Sequence, residues 1–340
     1  MPFKINFKLC PKLIGQLFIA GLLIFTVFFL TGCSINQDKN ADKDDITKQP
    51  QLEQEPEPFQ WQKLPITVMI ENFKKARPIT GILSARIIYE APVEADITRF
   101  LAVFQKDKLP KNIGPVRSAR SYFIDWAKEY GSLYIHAGGS PQALNELKNI
   151  SSIYNLDEIS KNGNYFFRDL NKSKPHNLYI SKKSISDFIE KNNLALKNDI
   201  KGWYYKNSSN KIDTSMLGVL KIEYRENAVW KYDKDLNRYL RYENGSALFD
   251  KNNNQLNAGT IVVQKTDVKT KDAIGRKSIR TQGSGEVIVF KNGQVIKGFW
   301  EKLRGDKRTR FYKKNGEEIV FSPGIVWIHI VSKETNINYY

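Results

Sequence analysis

The chain contains little cysteine and little histidine. Of its 340 residues only two are cysteine, Cys10 and Cys33, and three are histidine. Two cysteines so close to the N-terminus exclude a disulfide framework and a cysteine-based zinc site, and three histidines leave little for a multi-histidine metal centre. The HExxH, P-loop, GxSxG and SxxK patterns and the acidic spacing of calcium loops are also absent. The sequence therefore predicts neither a metal nor another cofactor.

Long apolar runs are also scarce, because only residues 13–30 form one. A single run excludes a membrane protein with several spans. Hydrophobic residues make up 41% of the chain and aromatic residues 12%, which is enough for folded cores and excludes a disordered or fibrous chain. The length favours two domains over one.

The apolar run has the surroundings of a secretory signal peptide. Three lysines without any acidic residue precede it, and Leu30-Thr31-Gly32-Cys33 follows at its end. These four residues resemble the lipobox of bacterial lipoproteins, in which the cysteine is acylated and the preceding segment removed. We predict a signal peptide over residues 1–32 and lipidation of Cys33, with an uncleaved anchor and an unmodified cysteine as the alternative. Both place the remaining chain on the extracytoplasmic face of the cell membrane.

Composition divides the rest of the chain into four segments. Residues 33–60 hold seven acidic and three basic side chains and few apolar ones, which predicts a disordered tether. Residues 61–202 show alternating strand and helix patterns and are predicted to be an N-terminal α/β domain with a mostly parallel or mixed sheet. A linker over residues 203–217 leads to a smaller, mainly β C-terminal domain over residues 218–335.

Local patterns place particular elements in the two domains. The apolar run 100–104 lacks alternation, which predicts a strand buried on both faces. Helices are predicted at 118–130 and at 141–148, the second with Ser140 as its N-cap and Pro141 at its first position. In the second domain Asn292-Gly293 and Asn315-Gly316 predict hairpins with type I′ turns.

Basic residues dominate the chain, whose formal net charge is +17. Outside the cytoplasm nucleic acid is scarce, so none is expected as a partner. The available anions are phospholipid headgroups, anionic polymers and peptidoglycan carboxylates, and a basic surface would concentrate near them. The alternative is a general bias of the composition towards lysine and asparagine.

Two basic side chains lie at a predicted helix start. Arg117 and Arg120 flank the beginning of the helix at 118–130, where free N–H groups and the helix dipole favour anions. The structural alternative is a pair of surface arginines, one of them bonded to Glu90 or Glu94 across the sheet. Arg99, which begins the buried run, is a further candidate ligand for an anion.

A second group of candidates follows the strand predicted at 133–137. Gly138, Gly139 and Ser140 join that strand to the next helix and are a candidate phosphate or carboxylate cradle, or else an ordinary tight turn with an N-cap. His136 at the strand end, His176 in a loop and Glu94 are candidate acid–base residues, with structural hydrogen bonding as the alternative for both histidines. His329 alternates within an apolar strand and is predicted to be structural.

These motifs together resemble one known family. The segments that carry the resemblance are 89–99, 113–120, 134–141, 174–177, 283–286, 292–293, 298–300, 309–311 and 323–327, together with the lipobox. They are similar to the YerB-like bacterial lipoproteins, a family without an established activity. The resemblance implies an N-terminal family domain, a smaller C-terminal one and an anchored extracytoplasmic location. One departure is Glu94-Ala95-Asp96, where such proteins usually have Glu-Gly-Gly.

Two functions are consistent with this sequence. The first is binding of an anionic envelope component or a protein partner through the Arg/His site. The second is an enzyme acting on phosphodiester or glycosyl linkages, in which His136 or Glu94 moves protons while Arg117 and Arg120 stabilise negative charge. We predict that Arg117, Arg120 and His136 line one pocket and bind an oxyanion there, because helix starts follow strand ends at one edge of a mostly parallel sheet. An enzyme requires these side chains to converge in one open cleft.

Overall fold

A mixed sheet of ten strands is the centre of the structure. The computed structural model describes residues 55–94, 97–195, 200–206, 218–223, 227–303 and 308–340. The predicted signal peptide, Cys33, most of the tether, Ala95-Asp96 and most of the predicted linker lie outside the described residues. Among the described residues, no helix combines the length and apolar character needed to cross a membrane.

The elements before residue 207 comprise strands and helices. The strands are β1 (Glu57–Gln60), β2 (Ile66–Glu71), β3 (Ile87–Pro92), β4 (Thr98–Phe104), β5 (Asn112–Ile113), β6 (Leu133–His136), β7 (Tyr154–Asp157), β8 (Phe166–Arg168), β9 (Leu178–Ser181) and β10 (Lys201–Tyr205). The helices are α1 (Ser121–Lys128), α2 (Pro141–Lys148) and α3 (Lys182–Lys191).

The described elements after residue 217 are strands. They are β11 (Val219–Ile222), β12 (Ala228–Asp233), β13 (Arg238–Glu243), β14 (Ser246–Ala247), β15 (Asn257–Ala258), β16 (Thr260–Thr266), β17 (Val268–Thr270), β18 (Lys277–Ile279), β19 (Gly283–Lys291), β20 (Gln294–Lys302), β21 (Arg310–Lys313), β22 (Val326–Ser332) and β23 (Ile337–Tyr339). This agrees with the mainly β character predicted for the C-terminal region.

The large sheet contains strands from both predicted domains. Its order is β21-β20-β19-β16-β22-β3-β4-β2-β6-β7, so the N-terminal strands join the C-terminal ones where β22 pairs with β3. This pair is parallel and aligns Val326 with Ile87. Of the nine neighbouring pairs, four are parallel and five antiparallel, so the sheet is mixed. The two regions of sequence therefore share one continuous sheet.

Apolar side chains cover both faces of this sheet. In β4, Phe100 and Ala102 belong to one core cluster, while Leu101 and Val103 belong to the other. The first cluster includes residues of α3 and of the smaller sheet formed by β11–β15 and β23, and the second includes residues of α1 and α2. The uninterrupted apolar run in β4 thus reflects burial on both faces, as predicted.

Ordered strands replace part of the predicted tether and linker. Residues 57–60 form β1 and residues 203–205 belong to β10, and these two strands pair in antiparallel fashion. Phe59 packs edge-on against Trp61 and Tyr205, and Trp203 is fully buried. The aromatic side chain of Phe59 at the end of the tether therefore packs into the folded part, and β1 is paired with β10. The expected boundaries at residues 60 and 203 differ from the observed strands for this reason.

The two predicted hairpin turns differ in conformation. Asn292 and Gly293 both have positive φ, 50° and 70°, and connect β19 to β20 as predicted for a type I′ turn. At the second turn Gly316 has a φ of +88°, but Asn315 is not among the residues of positive φ. The chain still reverses there, because Gly316 N–H donates to the carbonyl of Lys313. The type I′ prediction is therefore wrong for the second turn.

Because the sheet is shared, we expect a cleaved chain to remain one particle. A specific protease site inserted within residues 207–217 would cut between β10 and β11, and each of the two fragments would contain strands of the ten-stranded sheet. The two fragments should coelute in native size-exclusion chromatography and separate in denaturant. As the control, cleavage within residues 40–50 should release the N-terminal fragment without denaturant. Separation of the first pair under native conditions would show that the shared sheet does not hold the halves together.

Candidate functional site

An extended segment brings the two predicted motifs together. Residues 114–119 run beside the end of β2, where Arg117 N–H donates to the carbonyl of Met69 at 3.0 Å. The same segment continues beside the end of β6, where the N–H groups of Ala137 and Ala119 donate to Arg117 and Gly138. This pairing keeps residues 114–119 extended, so α1 begins at Ser121 and not at the predicted residue 118. The arginines and the glycine turn therefore lie at one edge of the sheet.

Glu94 holds two of the predicted arginines. The Nε of Arg120 donates to Glu94 Oε1 at 2.7 Å, and Arg99 Nη2 lies 3.8 Å from Glu94 Oε2. Arg99 also donates from Nη1 to the carbonyl of Ser118 at 2.6 Å. Partial burial alone would raise the pKa of Glu94, but the two guanidinium groups lower it below its usual value. Burial, together with the nearby Arg120, lowers the pKa of Arg99 to about 10.

Glu71, which the sequence analysis did not single out, pairs with two further candidates. Its Oε1 lies 3.3 Å from Nε of Arg117, and its Oε2 lies 3.0 Å from Nδ1 of His176. The ring of His176 also lies 5.5 Å from that of Phe73. No sequence signal marks Glu71, because it ends the apolar strand β2 without a recognisable motif around it.

His136 is fully buried. Its Nδ1 donates to the carbonyl of Gly138 at 2.7 Å, and its Nε2 lies 2.7 Å from Oδ1 of Asn155. Asp157 is 3.7 Å from the ring and accepts the N–H of Gly138 at 2.7 Å. These contacts fix the turn after β6, which is the structural role considered as the alternative for this histidine.

The turn after β6 has the backbone of a tight strand-to-helix connection. Gly138 has a φ of +62°, a conformation that favours glycine, and its N–H is already used by Asp157. Ser140 caps α2, since its Oγ accepts the N–H of Ala143 at 3.3 Å. The helix begins at Pro141 as predicted. Of the three candidate cradle residues, Ser140 lines the pocket that is described next, and Gly138 and Gly139 do not.

A pocket of about 400 Å³ lies at the starts of α1 and α2, and we call it the helix-start pocket. Arg120 and Ser121 line it from α1, and Ser140 and Gln142 line it from α2. The third wall is the β17–β18 hairpin. It contributes Lys271, Asp272, Arg276, Lys277 and Ser278.

The hairpin adds cations that the sequence analysis missed. Lys271 Nζ donates to the neutral amide of Gln142, and Lys271 forms no ion pair within the described residues. Arg276 pairs with Asp272 at 2.6 Å, and Lys277 donates to Thr270 at 3.1 Å. The sequence does not indicate that these residues lie near the starts of α1 and α2, because they are about 150 positions away from α1 along the chain.

The predicted site is thus divided among three sets of contacts. Arg120 lines the helix-start pocket, Arg117 pairs with Glu71, and His136 is enclosed between β6 and β7. We predicted that these three residues line one pocket, but the structure gives each of them separate surroundings. Arg117 and Arg120 lie three positions apart on an extended segment, so their side chains point to opposite sides, and His136 lies on a separate strand. No group of metal-ligating side chains occurs in the described part of the chain.

Comparison with known proteins identifies the family. The N-terminal model of a family described as "Protein of unknown function (DUF3048)" matches residues 52–195, and its C-terminal model matches residues 220–328. The chain belongs to the DUF3048 family. Both matched regions supply strands to the ten-stranded sheet of this chain, and they join where β22 pairs with β3.

A relative and a solved structure support this membership. The chain is 31% identical over 315 residues to "Putative lipoprotein YerB" of Bacillus subtilis (strain 168), covering 91% of this chain and 93% of the relative. The crystal structure of the YerB protein from Bacillus subtilis superimposes with a TM-score of 0.69 and 28% identity. That comparison covers 81% of this chain and 94% of the other. The predicted YerB-like family is confirmed.

Proposed function

We propose that this DUF3048 protein is anchored by lipid to the extracytoplasmic face of the cell membrane and binds an anionic envelope component in the helix-start pocket. One observation carries the binding proposal, namely that two helix N-termini and a basic hairpin converge on one cavity. Helix N-termini present unpaired N–H groups and the positive end of the helix dipole. Together with lysine and arginine side chains they form a favourable environment for phosphate or carboxylate groups.

The charges around the pocket support an anionic ligand. Arg120, Lys271, Arg276 and Lys277 line it, against the carboxylates of Asp125 and Asp272. Asp125 is engaged by Lys128 at 3.0 Å and by Thr281 at 2.8 Å, and neither of these partners lines the pocket. The Oγ of Ser121 is buried at the start of α1 and has no hydrogen-bond partner among the described residues.

The proposed anchoring rests on the lipobox and on the relative that is named a lipoprotein. A protein held at the extracytoplasmic face of the cell membrane meets phospholipid headgroups, anionic polymers and peptidoglycan carboxylates. All of these carry the phosphate or carboxylate groups that suit the pocket. Binding, and not catalysis, is proposed because His136 is enclosed and the carboxylate of Glu94 is held ionised by two arginines.

The binding proposal is tested with pyrophosphate as the probe. We expect the full chain to bind pyrophosphate and the double variant Lys271→Gln/Lys277→Gln to bind it about tenfold more weakly or worse, because each charge-assisted bond contributes about 1.5–3 kcal/mol. Isothermal titration calorimetry at one fixed ionic strength measures both. Arg120 is left unchanged because its removal would also leave Glu94 without its closest partner.

The matched control removes two positive charges elsewhere. Lys183 and Lys313 are paired with Asp187 and Glu317 on exposed surface, outside the helix-start pocket. The double variant Lys183→Gln/Lys313→Gln should retain the affinity of the wild type. Equal weakening in both double variants would attribute binding to overall charge and contradict the proposed pocket.

A further inference from the structure

We propose that a second pocket binds a sugar carrying a carboxylate group. This pocket has a volume of about 310 Å³, which suits one or two sugar rings, and shares no lining residue with the helix-start pocket. Its walls are the loops around Gly81 and Lys111, the aromatic pair Phe167 and Tyr179, and the turn at Lys251. We call it the aromatic pocket.

An aromatic platform forms one side of this pocket. The rings of Phe167 and Tyr179 are stacked with centroids 5.8 Å apart and planes at 26°. Tyr179 is buried, but Phe167 is 41% exposed although one of its faces is against the tyrosine. Aromatic faces carry partial negative charge and attract the partially positive C–H groups that line one side of a sugar ring. Phe167 therefore offers a stacking surface at the edge of a cavity of the right size.

Polar groups next to the platform match sugar hydroxyl groups. Asn112 and Asn252 line the pocket, and their side-chain amides make no hydrogen bond within the described residues. Each amide provides two N–H donors and one acceptor, the combination that hydroxyl groups require. Asp169 adds a carboxylate that accepts the N–H of Asn171 at 3.0 Å and the ammonium of Lys251 at 3.3 Å.

The charges favour an acidic sugar over a neutral one. Lys111 is exposed at the pocket and has no ion-pair partner among the described residues, whereas the charge of Lys251 is matched by Asp169. The lining therefore has an excess of one positive charge. A carboxylate on the sugar would pair with Lys111 while the ring stacks on Phe167.

The fold holds these walls in fixed positions. The N–H of Lys251 donates to the carbonyl of Ile79 at 2.9 Å, which joins the C-terminal turn to the N-terminal loop. Gly81 has a φ of +79°, and a Cβ there would lie 2.4 Å from the carbonyl oxygen of Asn112. A pocket whose walls come from both family domains exists only in the complete fold, so the test requires the full chain.

The test compares two sugars that differ in one group. N-acetylmuramic acid is N-acetylglucosamine with an added lactyl carboxylate. We expect the full chain to bind the acidic sugar more tightly, as measured by saturation-transfer NMR and calorimetry. Phe167→Ala should weaken binding of both sugars by about tenfold, since the stacking surface is lost. Lys111→Gln should reduce the preference for the acidic sugar by about threefold and leave binding of the neutral sugar unchanged.

Matched variants serve as controls for both substitutions. Phe249 is also 41% exposed but does not line the aromatic pocket, and Lys183 is an exposed lysine outside it. Phe249→Ala and Lys183→Gln should bind both sugars as the wild type does. The proposal would be overturned if neither sugar bound at millimolar concentration. It would also be overturned if Phe167→Ala and Phe249→Ala lowered the affinity for the sugars equally. Neither result bears on the helix-start pocket, which is tested with other residues and another probe.

Discussion

Replacing Arg241 by methionine is expected to lower the free energy of unfolding by about 3–5 kcal/mol, because it leaves a buried carboxylate without its cation. Arg241 is 1% exposed and Glu90 is fully buried. Two parallel contacts of 3.2 Å join their side chains, from Nη1 to Oε2 and from Nη2 to Oε1. The pair connects β13 of the C-terminal region with β3 of the N-terminal region.

The surroundings of Glu90 are arranged for its charged form. Trp327 and Thr98 donate to its two oxygens at 2.8 and 2.9 Å. Burial alone would raise the pKa of Glu90, but Arg241, His329 and these hydrogen bonds lower it below its usual value. Burial lowers the pKa of His329 to about 3, so that ring is neutral near pH 7 and Arg241 is the cation of the cluster. Without Arg241 the carboxylate must either stay charged in the protein interior without a cation or take up a proton, and both cost stability.

Two further variants distinguish the loss of stability caused by breaking the buried pair from that caused by removing any arginine. Arg310 pairs with Glu318 at 3.0 Å on a partly exposed surface, and Arg310→Met should cost less than about 1 kcal/mol. The double variant Glu90→Gln/Arg241→Met should be more stable than Arg241→Met, because it buries no unpaired charge. Urea denaturation followed by tryptophan fluorescence measures all of them. If Arg241→Met lowers the free energy of unfolding no more than Arg310→Met does, the buried pair does not contribute the expected stability.

The sequence predicted local features of the fold better than its long-range pairings. The run in β4, the Ser140 cap of α2 and the Asn292-Gly293 turn depend on neighbouring residues, and all three occur as expected. The pairing of β22 with β3 joins residues about 240 positions apart. Strand periodicity shows that a segment is buried but not which partner it takes, so the continuous sheet could not be predicted.

The candidate site shows the same division. The order of strands and helices correctly placed Arg117, Arg120 and the turn after β6 at one edge of the sheet. It did not show that Glu94 and Glu71 pair with these arginines, although Glu94 was considered as a partner. The cations of the β17–β18 hairpin come from a distant part of the chain and reach the pocket only through the fold. Side-chain directions alternate along the extended segment, and this separates Arg117 from Arg120 although they are close in sequence.

The second large effect is expected at Cys33, whose replacement by alanine should abolish lipid attachment. The thiol of this cysteine is the group that a lipobox presents for acylation, and alanine has no nucleophile to replace it. Each buried methylene contributes about 0.8 kcal/mol, so stable anchoring by lipid requires more than one acyl chain, and none can be attached without the thiol. Metabolic labelling with an alkyne fatty acid should mark the wild type and leave Cys33→Ala unlabelled. The variant should also accumulate as the longer, unprocessed precursor.

Cys10 provides the matched control, since it is the other cysteine of the chain and lies within the predicted signal peptide. Cys10→Ala removes a thiol without touching Leu30-Thr31-Gly32-Cys33, so labelling and processing should equal those of the wild type. The two single variants thereby distinguish acylation at the lipobox from acylation at any available thiol. Normal processing and continued labelling of Cys33→Ala would contradict the lipoprotein assignment.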